Sequence, residues 1–325
     1  MKKTAVACAN LALIKYWGKT DFEKRLPAND SLSVNLDNLT TTTTVEFSTD
    51  YDADLIEIDG LRAAGRKFDR VRKHLDRIRN LAGTQLSARV VSRNNFPSAT
   101  GLSSSASGFA ALTKAAAAAL ELKLTEKEMS IVARQASGSA CRSIPTGFSH
   151  WHKGRDSQSS YAESIFPIFH WQLTDLVVII SHQTKSVPTN IAQQSAFTSP
   201  FFRERLKHLP GKINKLKKAI RDKDFMSFGQ ISESEALELH AIMMTSEPSQ
   251  IYLFPGTLKL MNLVKQWRKE GLPVFFSLNT GHNLHVLCQN KDRGKILALL
   301  KKAGTKNIII NGPGPGTRLT DKHLF

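Results

Sequence analysis

The sequence is short of acid. Aspartate and glutamate together number 28, against 45 lysines and arginines, for a formal charge of +17. That imbalance disfavours cationic partners and favours anionic ones: nucleic acid, lipid headgroups or a phosphorylated small molecule. Cysteine is scarcer still. Cys8, Cys141 and Cys288 are far apart, make no CxxC pair and sit in no Cys/His cluster of zinc spacing. An odd, sparse count fits a reducing compartment better than a disulfide framework. Long apolar runs are missing too. The start, "MKKTAVACANLALI", puts two lysines before small apolar residues. Asn10 breaks that run and Lys15 ends it, too soon for the core of a signal peptide. No later stretch reaches the roughly 18 uninterrupted apolar residues of a membrane span. A soluble, cytoplasmic protein is expected.

What is present reads as an ordinary globular chain. Its 325 residues, 41% of them hydrophobic, suit one large domain or two, with a substantial core. "TTTTVEFS", "DLIEID" and "LSARVVS" read as strands, rich in Thr, Val and Ile. Phe68, Val71, Leu75 and Ile78 fall on one face of a helix that ends near Gly83. A small-residue loop then runs into an alanine-rich helix. Thr125 caps the next helix, and Glu128 completes a capping box. "DLVVIIS" is a buried-type strand, and most of the segment from Phe201 to His240 is helical. Thr257 is expected to cap a helix through "LKLMNLVKQWRKEG". Further on come a hairpin, a helix through "GKILALLKKAG" and the strand "NIIIN". A domain boundary is expected near 175, giving 1–175 and 176–325.

Four stretches could carry chemistry. "FPSATGLSSSASGFAA" places Gly101 and the hydroxyls of Ser103, Ser104 and Ser105 just before a helix N-terminus. Free N–H groups and the positive end of the helix dipole favour phosphate there. It is not a Walker A loop, because the Gly-Lys-Ser/Thr ending is missing. A small-residue loop chosen for close packing is the alternative. In "SGSACRS", Arg142 stands among Ser137, Ser139 and Ser143, and its planar fork could grip a carboxylate or phosphate. "LIKYWGK" sets Lys15, Tyr16, Trp17 and Lys19 together, with either lysine able to face an anion or to lie over Trp17. "NGPGPGTRL" makes a rigid turn that exposes backbone, which is weak evidence alone.

Other features read as structural. The basic helix from Arg203 to Lys223 lacks interleaved aromatics and a nucleic-acid module, so a solvated face is expected and neither nucleic acid nor membrane is expected as a partner. His150 and His152 flank Trp151 with no third ligand near in sequence, so no metal site is expected there.

Taken in order, "NLALIKYWGK", "LPANDSLSV", "FPSATGLSSSASGFAAL", "SGSACRS", "EALELHAIMMTSEPS", "LNTGHN" and "NGPGPG" resemble the mevalonate diphosphate decarboxylases of the GHMP kinase superfamily. The matching stretches span nearly the whole chain. The resemblance implies an α+β, two-domain GHMP kinase-like fold with the site in the cleft between the domains. It also implies ATP-dependent phosphorylation of a tertiary hydroxyl on mevalonate 5-diphosphate. Loss of phosphate and carbon dioxide then gives isopentenyl diphosphate. ATP, Mg2+, an anionic substrate and a homodimer follow from the same resemblance. Gly101, Ser103, Ser104 and Ser105 would hold the ATP phosphates. Tyr16, Lys19, Ser139 and Arg142 would hold the acid substrate, and Lys15 and Arg142 match two of a catalytic trio.

Two departures stand out. The third member of the trio is an aspartate in the pattern DAGPN, and here Asn279 takes its place, with His282 in place of the proline. In "KSVPTN", Pro188 and Thr189 replace two serines, with Thr189 still able to offer a hydroxyl for substrate. Asn279 can accept a hydrogen bond but cannot take a proton. His282 is of the residue type that titrates near neutral pH and is the candidate for a substitute base. A slow or altered decarboxylase is therefore expected. The rival readings are a kinase-only or monophosphate-specific relative and a catalytically inactive binding homologue.

Overall fold

The protein is described by a computed structural model at every residue except 99, 184–186 and 188, and at 190 for the backbone alone. Strands β1 (Lys2–Ile14) and β4 (Ser31–Ser48) pair antiparallel and form the spine of an eight-stranded sheet. Between them lies a small separate hairpin, β2 (Lys19–Asp21) with β3 (Leu26–Pro27). The β-branched run Thr40–Val45 suits a long central strand, because branched side chains pack well on a pleated surface. The later half of β4 pairs with β7 (Ser87–Asn94). β5 (Leu55–Ile58) runs parallel to β7, with β6 (Leu61–Arg62) at the edge. The start of β4 pairs instead with β8 (Phe148–Trp151), which pairs with β9 (Ala162–Phe166).

Helices α1 (Gly65–Ala82), α2 (Ser104–Ala119) and α3 (Glu126–Ala136) pack on this sheet. Gly83 ends α1 in the left-handed conformation, and Thr125 with Glu128 forms the capping box of α3. The alanine face of α2 contributes Ala110, Ala111, Ala115 and Ala116 to the core, with no side chain to hold the helix away from β1 and β4.

The second half is built on a four-stranded antiparallel sheet in the order β11 (Val274–Ser277), β12 (Leu284–Gln289), β10 (Leu173–Val178), β13 (Ile308–Asn311). Around it lie α4 (Thr189–Ala192), α5 (Phe202–Asp222), α6 (Phe225–Thr245), α7 (Pro255–Lys269) and α8 (Arg293–Lys302). The chain then returns, and β14 (Arg318–Thr320) pairs with β1. The last third of β1 leaves the first core. Leu11, Leu13 and Ile14 pack with Phe228 of α6 and Phe275 of β11, so this strand joins the two halves.

Two expectations change. Helix α7 starts at Pro255, where proline's fixed φ and missing N–H suit a first turn. Thr257 is therefore inside the helix, and its hydroxyl donates to the His282 carbonyl at 2.7 Å. The "NGPGPG" turn is a strap. Gly314 donates to the Asn35 carbonyl at 2.7 Å and accepts from Gly147 at 3.0 Å. A Cβ on Gly316 would lie 2.5 Å from the Ile144 carbonyl, so glycine is needed for that approach.

Candidate active site

The end of β1 delivers Lys15 into a buried ionic frame. Its backbone N–H donates to Glu235 Oε2 at 3.1 Å. Its carbonyl accepts from Arg205 Nη2 at 3.0 Å and from Asn29 Nδ2 at 2.9 Å. Arg205 also donates to Glu235 at 2.8 Å, and Lys212 reaches the other carboxylate oxygen at 3.3 Å. Burial pushes the Glu235 carboxyl up, but Arg205 and Lys212 outweigh it and hold it below the ordinary carboxylate value. Among the described residues Lys15 Nζ has no carboxylate as a hydrogen-bond or ion-pair partner. Nζ donates to the Ala12 carbonyl at 2.5 Å and to Ser277 Oγ at 2.9 Å, and the side chain is 1% exposed. Burial first, then the charges of Arg142 and Arg205, bring its pKa down to about 7 against the pull of Glu235.

Beyond Lys15 the chain turns through Tyr16. Its ring lies edge-on to Trp151 at 4.5 Å, and its hydroxyl is buried with no hydrogen-bond partner among the described residues. Gly138 makes room for that ring, since a Cβ there would sit 2.7 Å from it. The 3-10 turn Gly138–Ser143 carries Ser139 and Arg142. Asn10 of β1 orients Arg142 by accepting from Nη2 at 3.0 Å and from Nε at 3.3 Å. Asn10 in turn donates to Ser143 Oγ at 2.8 Å and to the Ser139 carbonyl at 3.2 Å. Arg142 Nη1 is left buried with no partner among the described residues. A guanidinium with two nitrogens fixed and one unfilled is preset for an anionic ligand. Lys19 is buried as well. Burial, with Arg25 and Arg70 adding like charge, brings its pKa down to about 7.

The serine-rich loop meets the β11–β12 loop directly. Gly101 has φ +93°, and a Cβ on it would lie 2.6 Å from the Gly281 Cα. A Cβ on Gly281 would lie equally close to Gly101 and to the Thr100 carbonyl. The resemblance sets Gly101 among the residues that would hold the ATP phosphates, and the space its missing side chain leaves is filled by Gly281 backbone. Ser103 precedes α2 in the left-handed conformation and makes no side-chain cap, so its hydroxyl is not consumed by the helix. Ser104 and Ser105 open the helix.

Asn279 bridges these pieces. Its Oδ1 accepts from the Ala12 N–H at 3.3 Å, while Nδ2 donates to the Asn10 carbonyl at 3.3 Å and to Ser103 Oγ at 3.1 Å. Amide oxygen and nitrogen are placed by this network, which has an acceptor for the NH2 and a donor for the oxygen. Thr189 joins the same loop through Thr280, hydroxyl to hydroxyl at 2.9 Å. Pro188 lies outside the described residues. His282 does not join the site. Its ring stacks on Phe254 at 4.3 Å and its Nε2 meets the Ser181 carbonyl at 2.9 Å. No hydrogen bond joins its ring to Asn279 or Lys15 among the described residues, which disfavours it as the substitute base.

Several site residues escape a reading by motif. Glu235 and Arg205 are charges on apolar stripes. Arg205 follows Phe202 and precedes Leu209, Ile213 and Leu216 at helical spacing, and Glu235 lies between Phe228 and Leu239, Ile242. A charge in phase with an apolar stripe marks a buried pair, and that signal was available. The solvated basic face expected of α5 holds for Arg203, Lys207, Lys215, Lys218 and Arg221, which are exposed, with Arg205 the buried exception. His240 was hidden for want of any partner in sequence. Its Nε2 meets the Asn279 carbonyl at 3.2 Å, and burial, with Lys15 adding charge, brings its pKa down to about 4. His150 does gain a neighbour from afar, Asp30 at 2.9 Å. However, Lys217 Nζ lies 3.0 Å from its Nδ1, so both ring nitrogens are engaged within the protein.

Known proteins resemble the chain along nearly its whole length. Residues 7–162 match the diphosphomevalonate decarboxylase-like N-terminal domain, and 175–311 match the mevalonate 5-diphosphate decarboxylase C-terminal domain. A phosphomevalonate decarboxylase of Haloferax volcanii is 34% identical over 100% of both chains. The mevalonate diphosphate decarboxylase of Enterococcus faecalis, solved in a study of mevalonate diphosphate-mediated ATP binding, is 35% identical with a TM-score of 0.92 over 99% of both chains. A further solved relative, also 35% identical, has a TM-score of 0.93 over 99% of both chains and is in complex with MVAPP, AMPPCP and magnesium. Among the described residues no helix is long and apolar enough to cross a membrane.

Proposed function

The chain belongs to the mevalonate diphosphate decarboxylase family, and on that premise we propose that it uses ATP to convert mevalonate 5-diphosphate to isopentenyl diphosphate. The observation that carries the reading is the pair of unfilled buried donors, Tyr16 Oη and Arg142 Nη1. Leaving such groups bare costs about 1–3 kcal/mol each, which an anionic ligand would relieve. Arg142 holds the substrate carboxylate or a phosphate, and Tyr16, Lys19, Ser139 and Thr189 hold the rest of it. The N-terminus of α2, with Gly101, Ser103, Ser104 and Ser105, receives the ATP phosphates. ATP with Mg2+ supplies the phosphoryl group and offsets its charge. Phosphorylation turns the tertiary hydroxyl into a leaving group. Arg142 and Lys19 then stabilise charge as phosphate and carbon dioxide depart.

A second reading is favoured by one observation. The Haloferax relative matches over its full length and is named for the monophosphate. The departure at Pro188 and Thr189 falls where the diphosphate is expected to be recognised. Product analysis with ATP and either mevalonate 5-phosphate or mevalonate 5-diphosphate tests both. Isopentenyl diphosphate, ADP, phosphate and carbon dioxide from the diphosphate support the first reading. A preference for the monophosphate supports the second. A phosphorylated acid without carbon dioxide marks a kinase, and no ATP consumption marks a binding protein. The reading includes a cytoplasmic homodimer and a domain division near 175, with light scattering as the check on assembly.

A further inference from the structure

Asn279 cannot be the base, because an amide does not take a proton near neutral pH; its oxygen accepts from the Ala12 N–H while the nitrogen donates twice. Of the neighbouring histidines, His282 is engaged by Phe254 and Ser181, while His240 meets the Asn279 carbonyl through Nε2 and its buried, unpartnered Nδ1, with a pKa brought down to about 4, is too weak a base to take a hydroxyl proton near neutral pH. Lys15 remains. The Ala12 carbonyl that it contacts and the Ala12 N–H held by Asn279 leave the extended strand on the same side. Lys15 Nζ and the Asn279 amide therefore flank one residue.

We propose that Lys15, held as a neutral amine, takes the proton from the tertiary hydroxyl of the substrate in place of the missing carboxylate. This rests on the function proposed above. The hydrogen-bond count at Nζ fits it. A neutral amine has two N–H groups and one lone pair, and Nζ has two acceptors, Ala12 O and Ser277 Oγ. No carboxylate is among its hydrogen-bond or ion-pair partners in the described residues. An ammonium buried that way is strongly disfavoured. The charges around it are Arg142 from the 3-10 turn, Arg205 from α5, Glu235 from α6 and Asp175 from β10, with His240 also on α6. Glu235 and Asp175 favour the ammonium, but Glu235 is bound to Arg205 and Lys212, and Asp175 to His285. An aspartate at 279 would add a carboxylate beside Nζ and keep the lysine charged. Asparagine removes it, so the proton-accepting role passes from carboxylate to amine.

The step balances. As the substrate oxygen bonds to the γ-phosphorus, its proton goes to the Nζ lone pair and the bond to ADP breaks with its electron pair on ADP. In the next step the C–O bond to phosphate breaks with its pair on oxygen, and the C–C bond to the carboxylate supplies the pair for the new double bond. Lys15 returns its proton to water after release.

The test combines lysine 13Cε NMR titration of the whole chain with single-turnover kinetics on ATP and mevalonate diphosphate. Wild type should show two lysine signals titrating near pH 7, one of them absent in Lys15→Met and still present in Lys19→Met, the other lost in Lys19→Met. In Asn279→Asp the Lys15 midpoint should rise by at least one pH unit, and the acid limb of the phosphoryl-transfer rate should fall by at least one, because a carboxylate now accepts the proton. Lys15→Arg, which stays charged, should lose about 10²–10⁴ in rate with nucleotide affinity unchanged. A Lys15 signal that stays charged to pH 9, or an acid limb identical in wild type and Asn279→Asp, overturns the proposal. A titrating lysine in a wild type that consumes no ATP overturns instead the decarboxylase reading, and the base role with it.

Discussion

Glu235→Gln isolates the ionic frame around Lys15. Glutamine keeps the shape and one acceptor, so the Lys15 N–H contact at 3.1 Å can persist. The charge is lost, and Arg205 is left in place with a side chain 2% exposed. Breaking a buried pair from one side costs about 3–5 kcal/mol, because the remaining charge is uncompensated. Lys212 is partly exposed and keeps Glu238, so the lower end, about 3 kcal/mol, is expected. Urea unfolding followed by circular dichroism measures it. The double variant Glu235→Gln/Arg205→Met should be more stable than Glu235→Gln alone, since it removes the stranded charge. The pH dependence has a fixed sign. Folding depresses the Glu235 pKa, so its stabilisation is full above the ordinary value of 4.5 and is lost as pH falls through the lower folded value. Glu235→Gln should lack that component of acid sensitivity. The loss of negative charge should also move the Lys15 pKa, and with it the acid limb of the rate, to lower pH. A stability loss below about 0.5 kcal/mol, the range of an ordinary surface change, would refute the buried-pair reasoning.

Arg142→Lys keeps the charge but loses the fork that Asn10 orients, and loss of one charged hydrogen bond predicts a fall of about 10–100-fold in kcat/KM. Unchanged kinetics would remove Arg142 from substrate recognition. Gly101→Ala forces a Cβ to within 2.6 Å of Gly281 at φ +93°, so both KM for ATP and the urea midpoint should worsen. A normal urea midpoint with normal ATP binding would mean that the two loops need not touch. His282→Ala should leave the pH–rate profile in place while losing the stack on Phe254, and a missing acid limb would restore it as the base.

The family and the fold were legible because they rest on local order. Capping at Thr125 and Gly83, the β-branched run before Val45 and the alanine face of α2 act within one or two turns or strands. The motifs carrying Lys15, Arg142, the serine loop and Asn279 were visible as strings. The sequence also showed that Asn279 lacks an acid. What it did not show was the consequence, since a proton's preferred site depends on which distant groups surround each candidate. Only the folded chain puts Glu235 against the Lys15 backbone from 220 residues away while setting its Nζ against the Ala12 carbonyl and Ser277. Only there does His282 turn to Phe254 and Gly101 abut Gly281. Composition and periodicity determine which segments become strands and helices. Desolvation and charge proximity, which set the chemistry of a lysine, are sums over neighbours that tertiary packing alone brings within reach.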